Sequence, residues 1–318
     1  MAGFEVTLKE SNGSLLRCEL VGISTKSVLG LCSALALALS TAACSSDNSQ
    51  QARPANVNVP GVNVELIDAG AAPREPLVWF SDDSEQKLTF SATQGLEQKT
   101  TGGSAENVPY AEVTMNLPLT ASASTDGKER TSTVTVGKPS GTNKERNEDI
   151  ASAEGFQMVS TQGVDGRVKT RTYTAPDAAT DSARVSIEKA MNQMNDYPLV
   201  FPSEPVGVGG QWKVSSRVDD GISMLQDLTY TLVERKGQAV SLKVQVQRRP
   251  AVSSLPDTDL SVLNVSSTSN GQLNLDLNRP LPVRGTIDVT TNVTYGKEDS
   301  DVRVLQKITA KSRWEPRG

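Results

Sequence analysis

Few residues in this chain could do covalent chemistry. Ser186 and Lys189 match S-x-x-K, a pattern in which a lysine activates a serine nucleophile. The companion motifs are missing, because Ser46-Asp-Asn48 precedes this pair instead of following it and no K-T-G sequence occurs. Histidine, the commonest general base, does not occur in the 318 residues. The sequence therefore predicts no enzyme and no catalytic residue.

Patterns for metals, nucleotides and nucleic acids are equally weak. Asp257-Thr-Asp259 lacks the Gly and the terminal Glu of a calcium loop. Gly207, Gly209 and Gly210 precede a strand-like run and lack the spacing of a dinucleotide fingerprint. The net charge is -5, without a basic stripe that would attract phosphate backbones. We expect no metal site, no cofactor and no nucleic-acid partner.

The three cysteines, Cys18, Cys32 and Cys44, all lie near the N-terminus, which does not suit a disulfide framework. Residues 28–39 form an apolar run that follows Lys26 and is too short to span a bilayer. We interpret residues 1–43 as a signal peptide, in which the first 20 residues are an extension from a start site assigned too early.

The end of this run carries a processing signal. Leu39-Ser-Thr-Ala-Ala-Cys44 places small residues directly before a cysteine and resembles the lipobox read by prolipoprotein signal peptidase. The resemblance implies cleavage after Ala43 and a diacylglycerol on the Cys44 thiol. Two or three acyl chains, at about 0.8 kcal/mol per CH2, would hold the protein stably at the outer leaflet of the cell membrane. The expected location is extracytoplasmic.

The remaining chain divides by composition. Residues 44–60 are rich in Ser, Asn, Gln and Ala, which predicts a lipidated flexible tether. From residue 61 onward, apolar and polar residues alternate in short runs bounded by Gly, Pro, Asn and Asp, as is typical of antiparallel strands. We expect one antiparallel β-rich domain over residues 61–318.

Turn signals subdivide this domain. Gly163-Val-Asp-Gly166, Lys236-Gly237 and Asn270-Gly271 predict hairpin turns, since these residues adopt positive φ angles easily. Residues 137–149, with almost no apolar side chain, predict a long solvated loop.

One segment has helical periodicity. Residues 181–197 carry apolar side chains at helical spacing, with Asp181 as the predicted N-cap and Pro198 ending the helix. Its stripe of Ile187, Met191 and Met194, together with Trp212, could line a ligand cavity, because methionine adapts to variable partners. A plain packed core is the alternative.

Two segments carry a resemblance to a known group. Phe201-Pro-Ser-Glu-Pro-Val-Gly-Val-Gly-Gly-Gln-Trp212 and Gly70-Ala-Ala-Pro-Arg-Glu-Pro-Leu77 resemble an uncharacterised family of envelope lipoproteins from high-GC Gram-positive bacteria. The resemblance implies an extracytoplasmic place and no established activity.

The expected fold class is mostly β (α+β), a strongly curved antiparallel sheet with one packed helix; a two-sheet β-sandwich is the alternative. The first arrangement is similar to lipoprotein-carrier half-barrels, in which a bent sheet and a helix enclose acyl chains. The expected function is binding or carrying an apolar envelope ligand such as a lipid. The alternative is a non-enzymatic scaffold or partner-binding protein, and a hydrolase using Asp or Glu lacks any motif.

Overall fold

The computed structural model describes residues 54–102, 107–219, 223–254, 260–297 and 299–317. Cys44 and the expected signal peptide lie outside the described residues. Within them, strands dominate and helices are short, so the chain is mostly β as predicted.

A single antiparallel sheet contains all the strands of the described residues. Its hydrogen-bonding order is β1-β8-β7-β5-β4-β3-β14-β13-β12-β11-β10-β9-β2, with β6 paired to β4. The strands are β1 (Ala55–Asn56), β2 (Asn63–Asp68), β3 (Gln86–Thr101), β4 (Val108–Asp126), β5 (Glu129–Val136), β6 (Ser140–Gly141), β7 (Gln157–Gly163), β8 (Val168–Thr174), β9 (Gln211–Asp219), β10 (Ser223–Lys236), β11 (Ala239–Pro250), β12 (Ser261–Asp276), β13 (Arg284–Gly296) and β14 (Arg303–Pro316).

Two α-helices accompany the sheet in the described part of the chain, α1 (Asn147–Ala151) and α2 (Asp181–Asn195). Helix α2 is the predicted helix, but its N-cap is Thr180 rather than Asp181, because the Thr180 hydroxyl accepts a hydrogen bond from the Ala183 N–H at 3.1 Å. The short β6 and the start of α1 fall in residues 137–149, the stretch predicted as a solvated loop, and buried Ile150 follows directly after it.

The two edge strands, β1 and β2, are joined by six residues, 57–62. Seven backbone steps from Asn56 to Asn63 span at most about 25 Å. Twelve strand steps separate these edges in hydrogen-bonding order, which in a flat sheet would be about 58 Å. The sheet is therefore not flat, although it is not closed. Strand β1 also shows that Ala55 and Asn56, expected in the tether, pair with β8.

Helix α2 contacts strands from the middle and both sides of the sheet. The Gln193 amide donates to Ser312 Oγ on β14 at 3.0 Å. At the helix end, the Asn195 amide donates to the Tyr173 hydroxyl on β8 at 3.0 Å. The Gln226 amide on β10 donates to the Asp196 carbonyl at 2.6 Å. Strands β8 and β10 are nine steps apart in the sheet, yet they meet adjacent residues of the helix end.

The main core lies between α2 and the sheet face that it covers. In each strand, every second side chain points to this face. In β10 these side chains include Leu228, Tyr230 and Leu232, which are buried. Phe90 and Trp314, from neighbouring strands, pack with ring centroids 5.1 Å apart. At about 1.5–3 kcal/mol for each fully buried large apolar side chain, this face holds α2 against the sheet.

Two of the three predicted hairpin turns are confirmed. Gly166 (φ +90°) ends the β7–β8 turn and Gly237 (φ +61°) lies in the β10–β11 turn. The prediction for Asn270-Gly271 is wrong, because both residues lie within β12. A Cβ on Gly271 would lie 2.9 Å from Cβ of Val244 on β11, so this glycine permits close approach between strands rather than a turn.

Candidate functional site

A cavity of about 570 Å³ lies where the two edges of the sheet approach each other. Its wall is formed by the 57–62 connection, the end of α2 with the following residues, the ends of several strands, and the loops that contain Trp79, Arg167 and Leu281. The wall includes Trp79, Gln162, Arg167, Lys169, Arg171, Met194, Asp196, Tyr197, Pro198, Leu199, Val200, Arg217, Leu273, Leu281 and Trp314.

The inner wall of the cavity is apolar. Met194 is 5% exposed, Leu273 1% and Trp314 2%, so these side chains face the interior of the fold. The Trp314 Nε1–H has no hydrogen-bond partner among the described residues. A small number of polar groups in an apolar wall is typical of small-molecule sites.

Three aromatic side chains fix the extended segment that follows α2. The Trp212 indole donates to the Val200 carbonyl at 2.9 Å, and the Tyr230 hydroxyl donates to the Pro198 carbonyl at 3.0 Å. The Trp79 indole donates to the carbonyl of Leu199 between them at 3.3 Å. These bonds satisfy consecutive backbone groups that leave the helix, and they hold this segment as a rigid part of the wall.

The structure separates the residues predicted to line a cavity. Met194 lies in the wall. Ile187, Met191 and Trp212 are fully buried in the core and are not part of the wall. Ile187 and Met191 lie farther from the helix end, under the sheet face. Trp212 stacks on Tyr230, with ring centroids 5.4 Å apart, and acts on the wall through its bond to Val200.

Cations were missed by the sequence analysis. Arg167, Lys169, Arg171 and Arg217 belong to the wall, together with one carboxylate, Asp196. A signal for part of this set exists, since Arg167, Lys169 and Arg171 alternate along the sequence toward buried Tyr173. Position 171 shares the parity of Tyr173, which places both side chains on the same face of β8.

Burial changes the pKa of Arg171 and the pKa of its neighbour Tyr173. Desolvation lowers the pKa of the Arg171 guanidinium, an effect that nearby Tyr173 and Asp196 oppose. Desolvation raises the pKa of Tyr173 to about 12. Tyr173 is therefore neutral at physiological pH and donates its hydroxyl proton to the Asn192 side-chain oxygen at 2.7 Å.

The S-x-x-K pair has an ordinary helical environment. The Ser186 hydroxyl donates to the Ser182 carbonyl one turn earlier, at 2.7 Å. Within the described ranges, no group of three or more cysteine or acidic side chains could hold a metal ion. The cavity is therefore the candidate site.

Comparison with known proteins adds one similarity. No curated protein matches the chain. Residues 182–281, which run from the first turn of α2 past β12, match the model of a family of unknown function, DUF6263. The matched part contains Met194, the 198–200 wall segment and Trp212. The matched part is less than half of the chain. Over this part, the chain is similar to a family whose function is not known.

Proposed function

We propose that this protein is a membrane-anchored extracytoplasmic lipoprotein that binds or carries an apolar envelope ligand in the cavity beside α2. The observation that supports this most is the cavity itself. Its volume of about 570 Å³ lies within the range of about 300–1,000 Å³ typical of small-molecule pockets. Its inner wall contains Met194, Leu273 and Trp314.

The architecture that goes with this proposal is one strongly curved sheet with α2 on its concave side. The contacts of the α2 end with both β8 and β10 favour a single curled sheet. A two-sheet sandwich is the alternative, in which the long strands would bend and contribute to both layers.

The proposed anchor is Cys44. No helix among the described residues is long and apolar enough to cross a bilayer. Thirteen backbone steps separate Cys44 from Val57, the first wall residue. A chain of this length spans at most about 47 Å. An acyl anchor at Cys44 would therefore keep the cavity near the membrane surface, where an apolar ligand could be collected or delivered.

A direct test uses the methyl ester of cis-parinaric acid, an uncharged apolar probe whose fluorescence rises away from water. We expect saturable binding of one probe per chain. Leu281→Trp should weaken this binding by about tenfold, because added side-chain volume at the wall displaces the ligand. The matched control is Leu305→Trp on β14, where Leu305 is 43% exposed and outside the wall.

The control variant should bind like the parent protein. Mass spectrometry of lipid that co-purifies with the chain gives an independent readout. Absence of probe binding and of co-purified lipid would contradict the proposal and favour the alternative, a non-enzymatic scaffold.

A further inference from the structure

The charge of the cavity wall is opposite in sign to that of the whole chain. The chain carries a net charge of -5. Its cavity wall nevertheless contains four cations, Arg167, Lys169, Arg171 and Arg217, against the single carboxylate of Asp196. Such a concentration raises the local positive potential in a cleft that low-dielectric walls border.

Two of these cations are neutralised by carboxylates outside the wall. Lys169 forms an ion pair with Glu129, and Arg167 lies 3.7 Å from the Asp165 carboxylate. The Arg167 guanidinium also donates to the Val62 carbonyl at 2.6 Å, which ties the 57–62 connection to the β7–β8 turn. These two side chains therefore have structural partners.

Within the described residues, the hydrogen-bond partners of the other two cations are hydroxyl groups. Arg171 donates from Nε to the Ser160 hydroxyl at 3.2 Å, and Arg217 donates to the Ser223 hydroxyl at 3.0 Å. A hydroxyl does not neutralise the positive charge of a guanidinium, and at Arg171 only the nearby Asp196 carboxylate of the wall offsets part of that charge. Arg171 is half-buried and Arg217 is exposed, so Arg171 lies deeper in the cavity wall.

A further guanidinium, that of Arg130, lies behind the wall. Arg130 on β5 is 0% exposed and lies 5.4 Å from the ring of Trp79, a wall residue. Its Nε donates to the Phe80 carbonyl at 3.1 Å, but both terminal nitrogens lack partners among the described residues. Desolvation lowers its pKa to about 10, so the group remains charged at neutral pH.

Strand register connects these arginines across one face of the sheet. Arg130 is directly opposite Gln162, another wall residue, and Ser160 is directly opposite Arg171. Opposite residues of antiparallel strands share a face. Together with Ser132, which pairs with Ser160, they form a polar row that contains two arginines and no carboxylate.

The cavity volume limits the size of the apolar part of a ligand. At about 30 Å³ for each water-sized group, a volume of about 570 Å³ holds about 19 such groups. A methylene is close to this size. This capacity is close to the volume of one long acyl chain.

We propose that the ligand is a single-chain amphiphile with an anionic head, a long-chain fatty acid or a single-chain lipid with a phosphate head, whose head contacts Arg171. The proposal deepens the proposed function and depends on it. The acyl chain lies against Met194, Leu273 and Trp314, and the head lies beside Arg171 and Gln162, the two members of the polar row that line the cavity. Arg217 adds positive charge at the exposed rim.

The test compares cis-parinaric acid with its methyl ester, which have the same chain and differ in the charge of the head. The lipidated full-length chain should bind the acid at least about tenfold more tightly than the ester, as expected for a charge-assisted hydrogen bond. Arg171→Gln should weaken binding of the acid by about tenfold and leave binding of the ester unchanged. Arg171→Lys should keep most of the affinity for the acid.

Arg313→Gln is the matched control, because Arg313 is exposed and neighbours Trp314 on the opposite face of β14. It should change neither affinity. Competition separates the two head chemistries. Displacement of the probe by palmitate indicates a carboxylate head, and displacement by lysophosphatidate indicates a phosphate head. Inorganic phosphate, which has no chain, should not displace the probe.

Each of the other outcomes has a distinct meaning. Equal binding of acid and ester by the parent protein would overturn the anionic head and leave the proposed apolar function standing. An equal loss of acid and ester binding in Arg171→Gln would overturn the role of Arg171. Failure of both probes to bind would overturn the proposed function, and this inference with it.

Discussion

At the scale of single residues, two methionines on one helix face have different surroundings. Met191 is 0% exposed in the packed core, whereas Met194, close to it on the same face, borders the cavity. Met191→Gln should lower the free energy of unfolding by about 2 kcal/mol or more, because the amide would be buried without partners. Met194→Gln should cost less than about 1 kcal/mol, since water in the cavity can solvate the amide.

The measurement is the midpoint of urea unfolding for each variant. The slope of the unfolding transition should stay constant, so that a change in the midpoint reports a change in stability. The two variants control for each other, because they make the same chemical change on the same helix. Equal costs would mean that Met194 lies in a core as dry as that around Met191.

At the scale of elements, a carboxylate links α1 to the start of α2. Asp149 accepts hydrogen bonds from Thr180 Oγ1 at 2.5 Å and Ser182 Oγ at 2.6 Å, and it pairs with Arg146 at 2.9 Å. These partners lower the pKa of Asp149 from 3.8 to about 2, and the hydrogen bond from Ser182 has the largest effect. A carboxylate with a lowered pKa stabilises the fold above its ordinary pKa, and this contribution is lost as the pH falls from about 4 to about 2.

Asp149→Asn should therefore reduce the free energy of unfolding by about 1 kcal/mol at pH 7. The difference from the parent protein should shrink as the pH falls from about 4 to about 2. Chemical denaturation at several pH values measures it. Asp181→Asn, with a fully exposed carboxylate in the first turn of α2, is the control and should have little effect at pH 7. A difference that does not depend on pH would contradict the assigned role.

At the scale of the whole molecule, the proposed lipid anchor at Cys44 would determine where the cavity operates. Cys44→Ala should abolish metabolic palmitate labelling and release the protein from membranes or leave the precursor uncleaved. Cys32→Ala is the matched control, because Cys32 lies within the apolar run and outside residues 39–44, which resemble a lipobox. It should keep both labelling and membrane association. Labelling that persists in Cys44→Ala would contradict the proposed anchor.

Local patterns in the sequence were enough to predict the main elements. Period-two alternation predicts strands because successive side chains point to opposite faces. The spacing of Ile187, Met191 and Met194 predicts α2 by the same reasoning with a helical period. Gly166 and Gly237 mark real turns because their positive φ angles are a property of the local backbone. Gly271 looked the same in the sequence, but its role depends on β11.

Tertiary structure alone decided which strands are neighbours and where the cavity lies. Strand β3 pairs with β14 across more than 200 residues, as in the contact of Phe90 with Trp314. Alternation assigns a side chain to a face of the sheet but not to a neighbour on that face. Whether Met194 or Met191 borders a cavity, and whether Arg171 has an acidic partner, depends on segments distant in sequence. The sum of those long-range contacts, rather than any local pattern, determines how the edges approach and what the space between them can bind.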